Sequence, residues 1–299
     1  MIATGSRPAM PDVPGIEIVP VLDSTGALAL DERSRSLIVM GGGYIGCELA
    51  QMFARFGVAV ALVTRSRLLP EAEPEVSAAL ADFMRDESIA VHDGLAYERV
   101  ESTEDGIALT LRPNDGDPRT LTAERLVVAT GRTPNSDGMG LEAAGITLDP
   151  RGGIEVDDRL RTTRDRTYAA GDVTGRDLFV YMAAYAARLA ATNALDGNTL
   201  RYTSEAMPWV VFTDPQVAGV GLTEATARER GLDVRTSVVP LDQVSRALAA
   251  RDTRGFVKLV AEEGNRTPAG RADHRARGSG CDPDHGDGAQ GAHDRDGLR

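Results

Sequence analysis

Lysine and cysteine are scarce in this 299-residue sequence, which has one lysine, Lys258, and two cysteines, Cys47 and Cys281. Because no Gly-Lys-Ser/Thr triplet occurs, a P-loop for nucleoside triphosphates is excluded. A single lysine also argues against covalent lysine chemistry. Two cysteines cannot form a disulfide framework, so we expect a cytoplasmic location.

An excess of positive charge is missing as well. Aspartate and glutamate total 45 against 33 lysine and arginine residues, which gives a formal net charge of −12. An acidic chain does not favour nucleic acid or an anionic membrane surface as a partner, and no apolar run is long enough for a membrane span. We therefore expect neither partner. A composition that is 42% hydrophobic and 26% charged is typical of a globular protein.

Apolar runs alternate with helical patterns, which predicts an α/β fold. The run Ser36–Met40 suits a central parallel strand and is followed at once by glycines. Val58–Val63 predicts a second buried strand, which completes a βαβ unit. The helix between them ends before Gly57, and its predicted apolar face consists of Ile45, Leu49, Met52, Phe53 and Phe56.

Further elements are predicted along the chain from apolar patterns and turn residues. Helices are expected at about 73–87 and 178–195, and strands at 107–112, 121–130 and 167–173. Two later stretches, "WVVFTDPQVAGVG" and "GFVKLVAE", predict strands of a mostly antiparallel piece.

The first predicted strand leads into Gly41, Gly43 and Gly46, which are spaced as G-x-G-x-x-G. In such a turn the first glycine permits a tight bend, the second lets a pyrophosphate approach the backbone, and the third lets the helix pack on the strand. The helix N-terminus adds amide donors and a positive dipole end. Between a strand and a helix, this spacing predicts a dinucleotide site; the alternative is a turn that serves packing alone.

The residues after the second strand indicate which dinucleotide binds. An NAD site usually has Asp or Glu about 20 residues past the glycines, where it holds the ribose 2′-hydroxyl. Here the chain has Thr64, Arg65, Ser66 and Arg67, and no carboxylate. Guanidinium groups suit a 2′-phosphate through paired hydrogen bonds, so Thr64, Arg65 and Arg67 predict NADPH. The alternative is that both arginines are surface charges.

Three more stretches end in small-residue turns, where the backbone can approach a ligand closely. They are "IATGSRP" (2–8), "VATGRTPN" (128–135) and "AAGDVTG" (169–175). Asp172 in the last of them could accept hydrogen bonds from a polyol hydroxyl. An aspartate in a Gly-Asp turn also serves as a cap or turn residue, so Asp172 alone leaves both roles open.

Together, the glycine turn and these three stretches resemble the flavin-dependent pyridine nucleotide–disulphide oxidoreductases, over about residues 1–267. The resemblance implies FAD/NAD(P)-binding three-layer Rossmann-like domains and the start of an α+β dimerisation domain. It implies FAD and NADPH as cofactors, with hydride passing from NADPH to FAD and then to a cysteine pair. Thr4 and Gly5 would line the flavin-domain turn, Asp172 would hold the ribityl chain of FAD, and the backbone near Val180 would meet the flavin.

The resemblance also assigns roles on the NADPH side. Gly131 would border the NADPH pocket, and Tyr44 would cover the flavin until nicotinamide displaces it. Glu48 would lie near the flavin as a second supporting residue. For Tyr44 and Cys47 the alternative is simple helix packing, and for Cys47 we adopt that interpretation.

Three longer stretches resemble the branch of the family that reduces Hg(II) to elemental mercury. They are "FVYMAAYAARLAATNAL", "AMPWVVFTDPQVAGVGLTE" and "RALAARDTRGFVKLVAEEG". The resemblance therefore implies Hg(II) as the substrate, a role in mercury detoxification, and a homodimer. Lipoamide dehydrogenases, which use NAD, would carry an acid at the position of Thr64 and Arg65.

The chain departs from the family in its redox residues. No cysteine precedes Cys47, so the C-x-x-x-x-C pair that accepts electrons from flavin is absent, as is the glycine fingerprint for the ADP half of FAD. We therefore expect a fragment that is inactive by itself. Two alternatives stay open: a non-catalytic NADPH-binding module, or a fragment of another flavoprotein disulfide reductase such as lipoamide dehydrogenase.

The resemblance divides the chain into five predicted segments. They are a remnant of the FAD-binding domain (1–28), the NADPH-binding domain (29–148), a return segment of the FAD-binding domain (149–204), the start of the dimerisation domain (205–267) and a tail (268–299). The tail has one branched apolar residue, Leu298, so we expect it to be disordered. A one-base shift in its back-translated codons would give an apolar helix, so we hypothesise an out-of-frame tail. Its histidines and Cys281 match no zinc spacing, and we predict no metal site.

Overall fold

The structure, a computed structural model, describes residues 1–263 and the backbone of residues 268–275. The chain divides into two compact units. The first unit consists of residues 1–9 and 131–204, and the second unit of residues 10–130 with the described residues from 205 to 275. In the part of the chain that the structure describes, no helix has both the length and the apolar character needed to cross a bilayer.

Strands and helices alternate through much of the chain. The strands are β1 (Ser6–Pro8), β2 (Ser36–Met40), β3 (Ala59–Val63), β4 (Ala90–His92), β5 (Leu95–Thr103), β6 (Gly106–Pro113), β7 (Arg119–Ala123), β8 (Arg125–Val128), β9 (Arg132–Pro134), β10 (Pro208–Val211), β11 (Gln216–Gly221), β12 (Val234–Pro240), β13 (Phe256–Glu262) and β14 (Pro268–Arg275). The α-helices are α1 (Ser24–Leu28), α2 (Tyr44–Arg55), α3 (Pro74–Asp86), α4 (Val180–Leu195), α5 (Glu224–Glu229) and α6 (Ser245–Ala250). Short 3-10 helices span Ile16–Ile18, Asp172–Thr174 and Leu241–Gln243.

A four-stranded parallel sheet, with strand order β4-β3-β2-β8, forms the centre of the second unit. Both of its faces are covered, which explains the continuous apolar run of β2. Leu37 and Val39 pack with residues of α2 and α3, whereas Ile38 and Met40 pack with residues of β5 and β6. Helix α2 connects β2 to its parallel neighbour β3, so the predicted α/β fold with a βαβ unit is confirmed.

Helix α2 buries most of its predicted apolar face, with Leu49 and Phe53 in the core. Phe56 is the exception, because the helix ends at Arg55 and the Phe56 side chain beyond it is 63% exposed. The chain turns there toward β3, so Phe56 leaves the helical periodicity before it would reach the core.

The stretch 121–130, predicted as one strand, forms parts of two. Strand β7 ends at Ala123 and belongs to a three-stranded antiparallel sheet, β5-β6-β7, whereas β8 begins at Arg125 in the parallel sheet. Glu124 lies between them, and its Oε2 accepts a hydrogen bond from the Arg35 amide (2.8 Å), which holds the corner. Apolar residues on both sides of this corner made the sequence pattern look continuous.

The first unit contains α4 and a two-stranded antiparallel sheet of β1 and β9. Helix α4 confirms the helix expected at 178–195. The predicted strand 167–173 differs: it forms isolated bridges at Tyr168 and Ala169, and then enters the 3-10 helix that begins at Asp172. Gly171 and Asp172, which follow Ala170, end the extended conformation of this stretch before residue 173.

A five-stranded sheet in the second unit has the order β10-β11-β14-β13-β12 with antiparallel neighbours. The antiparallel strands expected after Trp209 are therefore confirmed. The prediction of disorder from Pro268 onward differs from the structure, because residues 268–275 pair as β14 between β11 and β13. Backbone pairing needs no apolar side chains, which is why composition missed this strand. Residues 276–299, with the hypothesised out-of-frame origin and Cys281, lie outside the described residues.

The two compact units group residues differently from the predicted segments, whose boundaries after residues 28 and 148 stay predictions. Residues 10–28 belong to the second unit, where the Leu22 amide donates to the Leu126 carbonyl (2.8 Å) beside β8. Residues 131–148 belong to the first unit. The chain crosses between the units after residue 130, within the stretch "VATGRTPN", and after residue 9, directly after the stretch "IATGSRP".

The one lysine lies buried among three carboxylates of the second unit. Lys258 Nζ lies 2.8 Å from Glu224, 3.0 Å from Glu75 and 3.1 Å from Glu73, and the Lys258 side chain is 3% exposed. Burial alone would lower the pKa of Lys258, but its hydrogen bonds to the three carboxylates raise it above the ordinary value. The contact with Lys258 in turn lowers the pKa of Glu224. This cluster joins β13 to the beginnings of α3 and α5.

Replacing Lys258 by methionine should destabilise the fold, because the replacement leaves the buried carboxylate of Glu73 without its counter-charge. We expect the free energy of unfolding to fall by roughly 3–5 kcal/mol in urea denaturation at neutral pH. Arg99→Met is the matched control, since it breaks an exposed ion pair with Glu101 (3.0 Å) and should cost no more than about 1 kcal/mol. Equal losses in the two variants would contradict the role of the cluster.

The stability difference between wild type and Lys258→Met should depend on pH. Glu224 has a lowered pKa when folded, so its contribution is present above 4.5 and is lost as the pH falls through the folded value. Lys258 has a raised pKa, so its contribution is present below 10.5 and is lost as the pH rises through the folded value. We expect the full difference between about pH 5 and pH 10, and a smaller one in acid. A difference that stays constant below pH 4.5 would contradict this linkage.

Candidate functional site

The three glycines of the turn between β2 and α2 have different surroundings. Gly41 has φ +118°, a value that residues with a side chain rarely adopt. A Cβ on Gly46 would overlap the Gly41 carbonyl oxygen, so only glycine lets α2 pack this close to the turn. A Cβ on Gly43 would meet no atom within 4 Å, so the backbone at the start of α2 is open to a ligand. This geometry suits the three roles that the spacing predicts.

The end of β3 lies directly beside this turn. The Gly41 amide donates to the Val63 carbonyl (2.8 Å), and the Leu69 amide donates to the Gly42 carbonyl (2.7 Å). A Cβ on Gly42 would come within 2.9 Å of Thr64, so the two segments are in close contact. The loop after β3 that carries Arg65 and Arg67 is called the arginine loop here. It is distant in sequence from the glycine turn, but these contacts join the two into one surface.

The predicted phosphate-binding residues differ in their surroundings within that loop. Thr64 is buried, whereas Arg65 and Arg67 are exposed. The guanidinium carbon of Arg65 lies 6.0 Å from the centre of the Tyr97 ring. Arg67 Nη2 donates to two carbonyls of its own loop, those of Pro70 and Ala72, at 2.6 and 2.8 Å.

Tyr44 and Glu48 lie one turn apart on α2, and both contact the segment that contains β10. The Tyr44 ring stacks on Trp209, with ring centroids 5.7 Å apart and an angle of 19° between the planes. Glu48 Oε1 accepts a hydrogen bond from the Phe212 amide (2.8 Å). Burial raises the pKa of Glu48, although the hydrogen bond from Phe212 acts in the opposite direction.

Cys47 is buried in the same helix. Its Sγ donates a hydrogen bond to the Gly42 carbonyl oxygen, at 3.5 Å. Burial and then the nearby charge of Glu48 raise the pKa of the Cys47 thiol far above its ordinary range. Because the thiolate is the reactive form, this cysteine is unsuited to redox or nucleophilic chemistry. The environment agrees with the packing role expected for Cys47.

Asp172 lies in a polar network of the first unit. Its Oδ2 accepts a hydrogen bond from the Ser6 hydroxyl (2.6 Å) and lies 3.7 Å from Arg132 Nε. Arg132 Nε also donates to Ser6 Oγ (2.6 Å), so the three side chains hold one another in place. The Asp172 side chain remains 23% exposed, which leaves it accessible to a ligand hydroxyl.

The pairing of β1 with β9 is antiparallel, so Thr4 and Gly5 lie at one end of the strand pair and Gly131 at the other. Thr4 Oγ1 donates to the Asn135 carbonyl (2.6 Å), and the Asn135 amide donates to the Gly5 carbonyl (2.9 Å). At the other end of the pair, the Ala9 amide donates to the Gly131 carbonyl (3.0 Å). The strand pairing thus fixes both predicted small-residue turns, one at each end of the same short sheet.

Val180 is the first residue of α4, and its side chain is 88% exposed. The first amides of a helix have no partner within it and point out from its N-terminus. The backbone near Val180 is therefore placed where a ligand could accept hydrogen bonds.

Sequence reasoning missed three side chains that contact the predicted residues. They are Tyr97 beneath Arg65, Trp209 against Tyr44, and Arg132 beside Asp172. Arg132 lies within the quoted stretch "VATGRTPN", so its sequence position already offered a signal. Trp209 also lies in a quoted stretch, "AMPWVVFTDPQVAGVGLTE", but that stretch gave no sign of a contact with Tyr44. Tyr97 offered no signal, because only contacts between distant segments bring it to the site.

Comparison with known proteins matches two parts of the chain to one family. Residues 1–191 match the family described as pyridine nucleotide-disulphide oxidoreductase. Residues 207–270 match the dimerisation domain of pyridine nucleotide-disulphide oxidoreductases. The two matches follow one another along the chain.

Mercuric reductases are among the similar curated proteins. The chain is 47% identical to one from Streptomyces lividans, over 88% of this chain and 56% of that protein. It is 46% identical to one from Bacillus cereus, over 88% of this chain and 42% of that protein. A dihydrolipoyl dehydrogenase from Geobacillus stearothermophilus is 38% identical, over 88% of this chain and 56% of that protein. The chain spans about half the length of these curated relatives.

Solved structures have the same fold. The Cu(II) complex of the HOCl-induced flavoprotein disulfide reductase RclA from Escherichia coli matches with a TM-score of 0.82 and 32% identity, over 91% of this chain and 61% of that one. LpdA from Mycobacterium tuberculosis matches with a TM-score of 0.81 and 27% identity, over 92% of this chain and 59% of that one. Both likenesses extend over most of this chain.

Gly46→Ala and Gly43→Ala test whether close packing at the turn requires a glycine at position 46. The added Cβ of Gly46→Ala would overlap the Gly41 carbonyl, so we expect a loss of roughly 1–3 kcal/mol in the free energy of unfolding. Gly43→Ala, the matched control, adds its Cβ in open space and should leave the melting temperature nearly unchanged. Thermal denaturation of both variants tests this, and equal melting temperatures would disprove the packing role of Gly46.

Proposed function

Because the chain belongs to the pyridine nucleotide–disulphide oxidoreductase family, we propose that it is the NADPH-binding part of an FAD-dependent reductase of Hg(II). The family uses FAD and NAD(P)H, and the family and fold class expected from the sequence are both confirmed. The proposal concerns the choice of NADPH, the residues that bind each cofactor, the substrate and the homodimer.

One observation carries the choice of NADPH: the open glycine turn and the exposed Arg65 loop form one surface. The backbone at Gly43 begins α2, where a helix N-terminus favours a pyrophosphate. The loop after β3 offers guanidinium groups at the place where NAD sites carry an acid. When bound, NADPH and FAD would supply hydride and electron-transfer chemistry.

The first unit supports a site for part of FAD. Asp172 is held by Ser6 and Arg132 and remains partly exposed, so it could accept hydrogen bonds from the ribityl chain. Thr4 and Gly5 would line the adjoining turn with backbone atoms. The N-terminus of α4 near Val180 would offer amides and a positive dipole end to the flavin. Gly131, at the other end of the pair of β1 and β9, would border the NADPH pocket.

Tyr44 and Glu48 would act as supporting residues. The Tyr44 ring, stacked on Trp209, would exclude water from the flavin until the nicotinamide enters. Glu48 has a pKa raised by burial, so it keeps its proton to a higher pH than an exposed glutamate does. Its Oε1 is held by the Phe212 amide, which would fix the carboxyl group beside the site.

The substrate and the assembly are proposed from the relatives. Mercuric reductases match at 46% and 47% identity, above the dihydrolipoyl dehydrogenase at 38%. Arg65 after β3 also favours a phosphorylated coenzyme over NAD. Hg(II) reduction, mercury detoxification and the homodimer are proposed for the whole protein. This chain covers about half the length of the two mercuric reductases.

A second candidate function is coenzyme binding without turnover. Cys47 is buried and held as a thiol, and the only other cysteine of the sequence is Cys281. The sequence therefore contains no C-x-x-x-x-C pair to receive electrons from flavin. In this alternative the chain by itself is an NADPH-binding module.

The double variant Arg65→Ala/Arg67→Ala tests the choice of coenzyme. A hydrogen bond to a charged group contributes about 1.5–3 kcal/mol, so we expect NADPH affinity to fall at least about tenfold. NADH affinity should fall by a smaller factor, because NADH has no 2′-phosphate and loses only the effect of the loosened loop. Calorimetric titration with each coenzyme measures the two affinities.

A charge-matched control is Arg228→Ala/Arg235→Ala, which removes two exposed arginines elsewhere in the second unit. It should leave the preference for NADPH over NADH unchanged. If the Arg65→Ala/Arg67→Ala variant also keeps that preference, the phosphate assignment is incorrect.

Purification of the chain distinguishes the two candidate functions. Flavin absorbance together with NADPH-driven reduction of Hg(II) would support a complete reductase and exclude the binding module. Colourless protein whose fluorescence changes with NADPH, and which leaves Hg(II) unreduced, is the result we expect. Adding FAD to the same sample tests whether the residues around Asp172 suffice for flavin binding.

A further inference from the structure

Arg65 and Arg67 are close in sequence, but different groups hold their guanidiniums. Arg67 Nη2 donates to two loop carbonyls at 2.6 and 2.8 Å, so this side chain already bonds to its own backbone. The guanidinium carbon of Arg65 lies 6.0 Å from the centre of the Tyr97 ring. A guanidinium held against an aromatic face keeps its N–H edges for a planar or tetrahedral anion. The two arginines are therefore suited to different tasks.

Tyr97 is itself held firmly in β5. Its Oη donates a hydrogen bond to the Val63 carbonyl (3.0 Å), at the end of the strand that leads into the arginine loop. Burial raises the pKa of Tyr97 to about 12 although the Arg65 charge opposes the shift, so the ring stays a neutral phenol at physiological pH. The ring thus has a defined position relative to the first residues of the loop.

Backbone hydrogen bonds join the same two segments. The Thr64 amide donates to the His92 carbonyl (2.9 Å), and the Leu95 amide donates to the Thr64 carbonyl (3.2 Å). The Gly94 amide donates to the Ser66 carbonyl (3.2 Å). The loop that carries Arg65 is therefore bonded along its length to the segment that precedes Tyr97.

We infer that Tyr97 positions Arg65 for the 2′-phosphate of the coenzyme, while Arg67 braces the loop and makes no phosphate contact. This inference rests on the proposed function and specifies how that site selects its nucleotide. A long side chain loses rotamer freedom when it binds an anion, and a ring that already restricts it reduces this loss. Tyr97 is thus a positioning residue that acts through Arg65.

Two small nucleotides isolate the effect, because adenosine 2′,5′-bisphosphate differs from adenosine 5′-monophosphate only in the 2′-phosphate. Tyr97→Leu keeps apolar bulk but removes the ring, and Tyr97→Phe keeps the ring but removes the hydrogen bond to Val63. We expect Tyr97→Leu to weaken the bisphosphate by about two- to fivefold, the size of an exposed cation–π contact, with the monophosphate unchanged. Tyr97→Phe should bind both nucleotides nearly as wild type does.

A double-mutant cycle with Arg65→Ala completes the test by calorimetry. In the Arg65→Ala background, Tyr97→Leu should cause no further loss of bisphosphate affinity. Arg67→Ala should weaken both nucleotides by the same factor, because it loosens the loop without removing a phosphate contact. A loss that is specific to the bisphosphate in Arg67→Ala would overturn the bracing role.

The outcomes distinguish this inference from the proposed function. Equal binding of the two nucleotides by the wild-type chain would overturn both. A 2′-phosphate preference that depends on Arg65 but not on Tyr97 would overturn the inference alone. The same loss from Tyr97→Leu with and without Arg65 would show that the ring only supports the fold, and would also overturn it.

Discussion

The close approach of helix α2 to the turn before it is the constraint on which the candidate NADPH site depends. A side chain on Gly46 would overlap the Gly41 carbonyl, so the absence of a side chain sets the distance between helix and turn. The same turn is bonded to Val63 and Leu69 on either side of the arginine loop. These backbone contacts therefore fix the N-terminus of α2 relative to the loop that carries Arg65. The proposed recognition of the pyrophosphate and of the 2′-phosphate depends on this packing.

The local parts of this site could be predicted from the sequence, and the long-range parts could not. The apolar run of β2, the glycine spacing and the missing acid after β3 are readable in a short window, because each reflects the chemistry of neighbouring residues. Tyr97 lies beside Arg65 only because the fold places β5 next to the end of β3. No local sequence pattern specifies that contact. The corner at Glu124 was missed for the same reason. Its hydrogen bond from the distant Arg35 lies where one apolar stretch passes from one sheet to another. Strand β14 was missed because its composition suggested disorder and its pairing uses backbone groups.

Binding and redox chemistry are separated in this chain. The described residues provide surfaces that suit a nucleotide in the second unit and a polyol near Asp172 in the first. Cys47, the one cysteine among them, lies where burial keeps it protonated. The proposed coenzyme selection could therefore be tested on this polypeptide independently of electron transfer. The chain is similar both to mercuric reductases and to a dihydrolipoyl dehydrogenase, so one fold accompanies different reactions.

Trp209 is the single tryptophan of the sequence, and its indole stacks on the first residue of α2. Indole emission overlaps the absorption band of a reduced nicotinamide, and its intensity responds to a neighbouring phenol. All ultraviolet-excited indole emission of this polypeptide thus originates at one known place beside the glycine turn. The chain contains its own optical probe, so the arrival of a coenzyme can be timed by energy transfer in unlabelled protein.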